Sequence, residues 1–232
     1  MHFREQEKLK AITLSYDDGI TQDIRLIELL NKYGLKCTFN LNSGLLGQKG
    51  ILIREGQRIS HYKLHPEDVK YIYDGHEIAA HTLTHPDLTK LEEIDVIRQV
   101  EQDRIALSEL AGYEVVGMAY PGGHVSETLT QILREHTGIR YARTTLCTDS
   151  FDPQRDLYLL HANAYHLHFD RLMEMGRRFL ELETNVPQIF YIWGHSYEMD
   201  FQPDYWIKLE EFFRLISNQN DIFYGTNREV LL

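Results

Sequence analysis

Hydrophobic and polar positions along this chain alternate between two periods, and each change of period marks a predicted strand or helix. The segment "KAITLSY" at 10–16 is a short apolar run typical of a buried strand. Directly after it, the apolar residues within 20–30 fall at helical spacing until Gly34, which favours a helix end. This strand–helix pair is the first of several such units.

The same order recurs through the rest of the chain. Further strands are predicted at "KCTFNLN" (36–42), "HEIAAH" (76–81), "VVGMAY" (115–120), "RYARTT" (140–145), "QIFYIWG" (188–194) and "DIFYGT" (221–226). Helices are predicted between them, among others over 89–112, over 126–138, over 170–182 and from Pro203 onwards. Residues 45–66 lack a clear period, and they predict a long excursion with a small hairpin of the kind that often borders a binding site.

Repeated strand–helix units need crossover connections, and such connections make the strands parallel. We therefore predict an α/β fold, a distorted or incomplete (β/α) barrel with mostly parallel strands, with an open doubly wound sheet as the alternative. No linker, repeat or low-complexity tract divides the chain, so residues 1–232 are predicted to form a single domain. In both architectures the carboxyl ends of the strands form the functional face.

The composition narrows the class of protein. With 43% hydrophobic and 25% charged residues, the chain is typical of a globular protein. Its 24 Lys and Arg against 35 Asp and Glu give a formal net charge of −11, which disfavours nucleic acids and anionic membranes as partners. The polar start "MHFREQEKLK" predicts a cytoplasmic protein if the sequence begins at its natural N-terminus. Cys37 and Cys147 are too few for a disulfide framework and lack metal-ligand spacing.

Two short stretches contain candidate catalytic chemistry. Asp17 and Asp18 stand side by side before Gly19, where an Asp-Gly turn or a helix cap at Asp17 is the simpler interpretation. His81 and His85 in "HTLTH" are four residues apart, a spacing that on a helical turn points both imidazoles the same way. Two His and one Asp would leave open coordination positions on a catalytic metal.

Four motifs, in the right order, resemble those of one family. "SYDDG" (15–19), "HTLTH" (81–85), "AYPGG" (119–123) and "IFYIWGH" (189–195) are similar to the first, second, third and fifth motifs of the polysaccharide deacetylases of carbohydrate esterase family 4, the NodB homology domain. The resemblance covers about residues 10–200, and the first two motifs together are specific. Members of this family hydrolyse an N-acetyl, sometimes an O-acetyl, group of a sugar with a divalent metal. The family's fourth motif has no convincing match.

The resemblance implies a role for each of five residues. Asp18, His81 and His85 would hold the divalent metal, Asp17 would be the general base and His195 the general acid. Two His and one Asp suit Zn²⁺, and Co²⁺ or Ni²⁺ also fit such a set. A bound cation would allow both adjacent carboxylates to stay ionised.

The resemblance also suggests residues that contact the substrate. A backbone N–H near Tyr120 would stabilise the oxyanion, and Pro121 and Gly122 would shape the site, although a plain turn explains these last two residues as well. Tyr197 is a candidate for stacking on a sugar ring.

The chain departs from the family pattern in its third motif. The family usually has an Arg two residues before the proline, where it orients the base, and this chain has Ala119 there. Arg143, at the end of the next predicted strand, could hold Asp17 instead as part of the catalytic group, or it could be a solvated strand-end charge.

The residues after the fifth motif also differ from the family. A carboxylate of the following loop, Glu198 or Asp200, could orient His195, and taken alone His195 could equally be a buried core histidine.

The predicted function is a metal-dependent deacetylase that removes an acetyl group from an N-acetylated sugar or polysaccharide. Two alternatives stay open. One is a hydrolase of the same fold and metal that acts on a non-sugar amide, because a fold does not name its substrate. The other is a metal-binding module without catalysis.

Overall fold

The computed structural model describes residues 8–232, which form an α/β fold. The strands are β1 (Lys10–Asp17), β2 (Cys37–Leu41), β3 (Lys49–Arg54), β4 (Gln57–Tyr62), β5 (Glu77–Ala80), β6 (Gly117–Ala119), β7 (Tyr141–Cys147), β8 (Leu160–Ala162), β9 (Ala164–Tyr165), β10 (Gln188–Gly194) and β11 (Ile222–Tyr224). The helices are α1 (Asp23–Lys32), α2 (Pro66–Ile72), α3 (Glu93–Ala111), α4 (Glu127–His136), α5 (Phe169–Glu181), α6 (Tyr205–Ile216) and α7 (Asn227–Leu231). The predicted fold class is confirmed.

Among residues 8–232, nine strands form one sheet, and every pair in it is parallel. The hydrogen-bonded order is β8-β7-β6-β5-β2-β1-β10-β9, with β11 paired to β1. The two ends of this path, β8 and β9, follow each other in the chain with Asn163 between them. The Asn163 N–H donates to the Tyr191 carbonyl at 2.6 Å, and its side-chain oxygen accepts from the Tyr191 N–H at 2.8 Å. The sheet therefore curls into an incomplete barrel instead of an open doubly wound sheet.

Strand β1 pairs with three strands of this sheet, β2, β10 and β11, and all eight of its residues are buried. Successive residues of a strand point to opposite faces. Ile12 and Leu14 join the hydrophobic core, whereas the side chains of Thr13, Ser15 and Asp17 bond to polar residues from other strands and from α7. The polar face of β1, with Thr13, Ser15 and Asp17, thus ends at the candidate site.

The excursion predicted over 45–66 contains the expected hairpin, formed by β3 and β4 as an antiparallel pair. The hairpin is fastened to the loop that follows β1. The Thr21 N–H donates to the Tyr62 carbonyl at 2.8 Å, and the Leu64 N–H donates to the Gly19 carbonyl at 3.0 Å. The end of β4 thereby lies against Asp18.

One helix begins later than the sequence predicts. The helix expected over 89–112 begins at Glu93, because Leu88–Lys90 form a separate 3₁₀ turn in which the Thr89 N–H donates to the Asp87 carboxylate. It ends as predicted at Gly112, whose φ of 79° favours glycine. Within residues 8–232, no helix has the length and apolar character that a membrane span requires.

Candidate active site

The candidate residues converge because their strands are parallel. Asp17 ends β1, His81 follows β5, Arg143 lies in β7 and His195 follows β10. The carboxyl ends of parallel strands meet at one edge of the sheet. Residues more than 170 positions apart in the chain thereby reach the same space.

Asp18, His81 and His85 form a group that could hold a metal ion. One ligand atom from each residue lies within 4.8 Å of the others, and Asp18 and His81 are buried while His85 is exposed. The Nδ1–H of His81 donates to the Ala119 carbonyl at 2.8 Å, which leaves Nε2 as the free ligand atom. Burial lowers the pKa of His81 to about 4, so this imidazole is in the neutral form that binds metals.

The two histidines are brought together by a loop and not by a helical turn, so that part of the prediction is wrong. Residues 81–85 have no helical conformation, and Thr82 and His85 adopt φ values of 66° and 60°. The Asn42 amide donates to the carbonyls of His81 and Thr82 at 2.5 and 2.9 Å. The imidazole rings end 4.7 Å apart between centroids.

Asp18 has a backbone conformation that is rare for a residue with a side chain. Its φ is 89°, a value that costs energy and persists only where neighbours hold it. The Lys63 ammonium donates to the Asp18 carbonyl at 2.7 Å and to its Oδ1 at 3.2 Å, while His61 Nε2 lies 3.2 Å from Oδ2. Burial would raise the pKa of Asp18, but the hydrogen bond from His61 and the charge of Lys63 outweigh burial and hold the pKa well below its usual value.

Sequence reasoning missed His61 and Lys63. Both come from the aperiodic stretch that became the hairpin, on alternate residues at the end of β4. Alternate residues of a strand point to the same side, so an assigned hairpin would have indicated that these two side chains act together. Their position over Asp18 depends on how the hairpin folds back.

The Arg143 side chain contacts Asp17, which decides between the two interpretations of this arginine. Its Nη2 lies 2.6 and 2.5 Å from the two carboxylate oxygens of Asp17, and its side chain is only 1% exposed. Arg143 stands in register with Ala119 on the neighbouring strand. The interpretation as a solvated charge is wrong.

Further contacts fix both partners of this ion pair. Arg143 donates from Nε to Ser15 at 3.2 Å and from Nη1 to the Thr144 carbonyl at 3.0 Å. The Asn40 amide donates to Asp17 at 2.8 Å. Burial would raise the pKa of Asp17, but the charge of Arg143 outweighs it and lowers the pKa. Asp17 is therefore an oriented, ionised carboxylate and not a helix cap.

His195 faces Asp17 from the carboxyl end of the neighbouring strand β10. Its Nε2 lies 3.9 Å from Asp17 Oδ2, and its Nδ1 donates to Glu198 at 3.1 Å. Asp200 instead accepts from Trp206 at 2.9 Å. Burial would lower the pKa of His195, but the hydrogen bond and charge of Glu198 raise it to about 9. His195 is therefore charged at neutral pH and is no ordinary core histidine.

Both polar groups of Tyr120 have partners inside the protein. Its N–H already donates to the Arg143 carbonyl at 2.9 Å in the sheet, and its hydroxyl donates to the Tyr158 carbonyl at 2.8 Å. The strand pairing that positions Arg143 thus uses the N–H of Tyr120, and an oxyanion contact from another N–H near Tyr120 stays a prediction. Pro121 is buried and Gly122, with φ of 62°, is exposed, in the 3₁₀ turn that follows.

A cleft of about 380 Å³ opens between the hairpin and the candidate metal ligands. Tyr197 lies in it, with ring centroids 5.0 Å from His61 and 5.2 Å from His195. The lining residues are Asp18, Leu45, Gln48, Lys49, Gly50, Leu52, His61, Lys63, His85 and Tyr197. A small polar substrate in this cleft would reach both Asp18 and His85.

Comparisons with known proteins agree with this arrangement. Residues 4–142, more than half of the chain, match the protein family polysaccharide deacetylase. The chain is 26% identical over 125 residues to peptidoglycan-N-acetylglucosamine deacetylase PgdA from Listeria monocytogenes, a match that covers 53% of this chain and 23% of that protein. The chain thus spans about a quarter of the length of this relative.

Solved structures show the same fold at low identity. A polysaccharide deacetylase described as putative, from Mycobacterium smegmatis, is similar with a TM-score of 0.67 and 17% identity, over 97% of this chain and 89% of that one. A Bacillus anthracis protein described as a CE4 family pseudoenzyme has a TM-score of 0.58 and 16% identity, over 96% of this chain and 66% of that one.

Proposed function

The chain belongs to the polysaccharide deacetylase family, and from this premise we propose that it hydrolyses the acetamido group of an N-acetylated sugar to acetate and a free amine. One observation carries the proposal. Asp17 and His195 face each other at 3.9 Å beside the three-residue ligand group, and two members of that group, Asp18 and His85, line the cleft. These are the groups that metal-assisted amide hydrolysis needs.

Asp18, His81 and His85 are proposed to hold a divalent cation, with Zn²⁺ as the first choice. Two imidazoles and one carboxylate form a catalytic zinc set that leaves a position open. Ligand atoms on a tetrahedral zinc are about 3.3 Å apart, so a group already within 4.8 Å needs small side-chain movements. Such a cation supplies Lewis acidity, which polarises a carbonyl and acidifies a water molecule.

The protein's own groups would handle the protons. Asp17, oriented by Arg143, accepts a proton from the attacking water as a C–O bond forms at the acetyl carbon. His195 gives its Nε2 proton to the nitrogen as the C–N bond breaks. The 3.9 Å between His195 Nε2 and Asp17 Oδ2 brings both groups within reach of one acetamido group.

The proposed substrate class rests on the family and on the cleft. The Listeria relative is named for N-acetylglucosamine in peptidoglycan, which supports a sugar substrate here. Tyr197 offers an aromatic edge in the cleft beside His195, where a sugar ring can pack.

The test measures metal content and acetate release on the same preparations. The purified protein is stripped with a chelator, reloaded with Zn²⁺, Co²⁺ or Ni²⁺, and assayed on N-acetylated oligosaccharides and on non-sugar acetamides. We expect about one bound metal per chain and acetate from the saccharides. The variant Asp17→Asn should keep the metal and lose activity, whereas Asp74→Asn, at an exposed acid, should change neither.

Two outcomes would overturn parts of this proposal. If acetate were released only from the non-sugar acetamides, the proposed substrate class would be wrong and the proposed chemistry would stand. Stoichiometric metal with no turnover of any amide would favour a metal-binding module, the state suggested by the existence of a pseudoenzyme with the same fold.

A further inference from the structure

A buried chain of polar side chains lies behind His195. The carboxylate oxygen Oε2 of Glu198 is shared by two imidazoles, at 3.1 Å from His195 Nδ1 and 2.8 Å from His166 Nε2. The Tyr165 hydroxyl donates to the other oxygen of Glu198, and the Tyr16 hydroxyl lies 3.1 Å from His166 Nδ1. One carboxylate therefore joins His195 to a second, fully buried histidine.

The hydrogen bonds of His166 fit a neutral ring. Its Nε2 lies 2.8 Å from a Glu198 oxygen, which only accepts, and this short contact favours a hydrogen on Nε2 over the longer one of 3.4 Å in which Nε2 would accept from the His195 N–H. Its Nδ1 can then accept from the Tyr16 hydroxyl, and a neutral ring satisfies both contacts. Burial lowers the pKa of His166, in agreement with a neutral ring. His166 thus binds Glu198 without adding a charge beside His195.

The fold reserves space for the His166 ring. A Cβ atom added at Gly194 would lie 2.3 Å from His166 Cδ2, a distance that real Cβ atoms do not show. The ring occupies the place where a side chain of residue 194 would stand, directly before His195. The His166 N–H donates to the Trp193 carbonyl at 2.9 Å, so the pairing of β9 with β10 sets its position.

We propose that Glu198 and His166 are positioning residues that act as one unit, in which His166 holds the Glu198 carboxylate against Nδ1 of His195 so that Nε2 of His195 points at the reacting group. This inference rests on the proposed function, in which His195 is the acid. Neither residue touches the substrate. The unit places the proton of His195 on the side where the amine leaves.

Other groups also act on His195 and must be separated from Glu198. Asp17 faces it from β1 at 3.9 Å, the charge of Asp18 raises its pKa, and the Tyr197 ring packs on it from the turn that follows. The variant Glu198→Gln keeps the shape of the side chain and removes its charge, so any change it causes belongs to that carboxylate.

The first test follows the histidines by NMR and needs no substrate. The full chain with ¹⁵N-labelled histidine is titrated as wild type, Glu198→Gln, His166→Asn and the double variant, with His168→Asn at an exposed histidine of the same segment as the control. We expect Glu198→Gln to weaken proton binding at His195 by about tenfold or more. In a protein that already carries His166→Asn, Glu198→Gln should weaken proton binding at His195 by about threefold or less.

An equal effect of Glu198→Gln in both backgrounds would overturn the proposal, because it would mean that His166 does not hold the carboxylate. The milder variant Tyr16→Phe removes only the hydroxyl that faces His166 Nδ1. It should shift the ¹⁵N signals of His166 away from a single tautomer, and it carries the test if His166→Asn does not fold. Unchanged His166 signals in Tyr16→Phe would also refute the unit.

The second test uses the leaving group. An amine must be protonated as it leaves, whereas the phenolate of an aryl acetate leaves without an acid. Glu198→Gln and His166→Asn should slow acetate release from an N-acetylated oligosaccharide about 100-fold and from phenyl acetate about threefold or less. Equal losses on both substrates would indicate a merely structural role. The two proposals can fail separately. If the effect of Glu198→Gln on His195 depends on His166 but the wild type hydrolyses no amide, the proposed function is refuted and the positioning unit stands.

Discussion

Replacement of Arg143 by Met tests how the candidate base is held. The substitution keeps most of the apolar stem and removes the guanidinium that contacts both oxygens of Asp17. Asp17 is 2% exposed, so its carboxylate would remain as a buried charge without its counterion. Loss of one partner of a buried ion pair destabilises by about 3–5 kcal/mol.

The size of the expected effect makes it measurable by urea or thermal unfolding. In a chain of 232 residues, 1 kcal/mol corresponds to about 2–4 °C in Tm, so Arg143→Met should lower Tm by about 6–20 °C. The exposed Arg155 offers a matched control, and Arg155→Met should stay within about 0.5 kcal/mol of wild type.

A double variant separates the ion pair from the rest of the arginine. Asp17→Asn removes the charge that Arg143→Met leaves unpaired. The double variant should therefore lose about 2–3 kcal/mol less unfolding free energy than the two single variants lose in sum. Two results would refute the reasoning. One is that Arg143→Met loses no more unfolding free energy than Arg155→Met. The other is that the loss in the double variant equals the sum of the losses in the two single variants.

Three further predictions concern groups around the site. Burial raises the pKa of Asp23 from 3.8 to about 7, so its contribution to stability is present below pH 4 and is lost as the pH rises through 7. The difference in unfolding free energy between wild type and Asp23→Asn should therefore change by about 1.4 kcal/mol per pH unit between pH 4 and 7, and a constant difference would contradict the prediction. Lys63→Met removes the ammonium next to Asp18 and should destabilise the metal-free protein by about 3 kcal/mol. Added Zn²⁺ should then raise Tm more in this variant than in wild type, because the cation replaces the lost charge, and equal shifts would speak against that role. Gly194→Ala forces the His166 ring to move and should lower the unfolding free energy, measured with urea, by about 1–3 kcal/mol. In a protein that already carries His166→Ala, Gly194→Ala should leave the unfolding free energy nearly unchanged.

Local patterns were sufficient for the fold class and for part of the site. The change between strand and helix periods repeats along the chain, and repeated units of this kind require parallel strands. Parallel strands place their carboxyl ends together, so Asp17, His81 and His195 could be assigned to one face before any coordinates. Each of these inferences depends on residues that are neighbours in the chain.

The contact between Arg143 and Asp17 depends on the pairing of distant strands. These two residues are 126 positions apart, and the register that sets Arg143 beside Ala119 leaves no trace in either segment. The same register engages the Tyr120 N–H in the sheet, whereas an oxyanion contact from another N–H near Tyr120 stays a prediction.

The surroundings of Asp18 and His195 were likewise decided by tertiary structure. His61 and Lys63 reach Asp18 because the hairpin folds back onto the loop after β1, and His166 reaches Glu198 because β9 pairs with β10. The sequence by itself thus determined which chemical groups the chain carries to its functional face. The tertiary structure decided which charges those groups meet, because burial and long-range register set each hydrogen bond and each pKa.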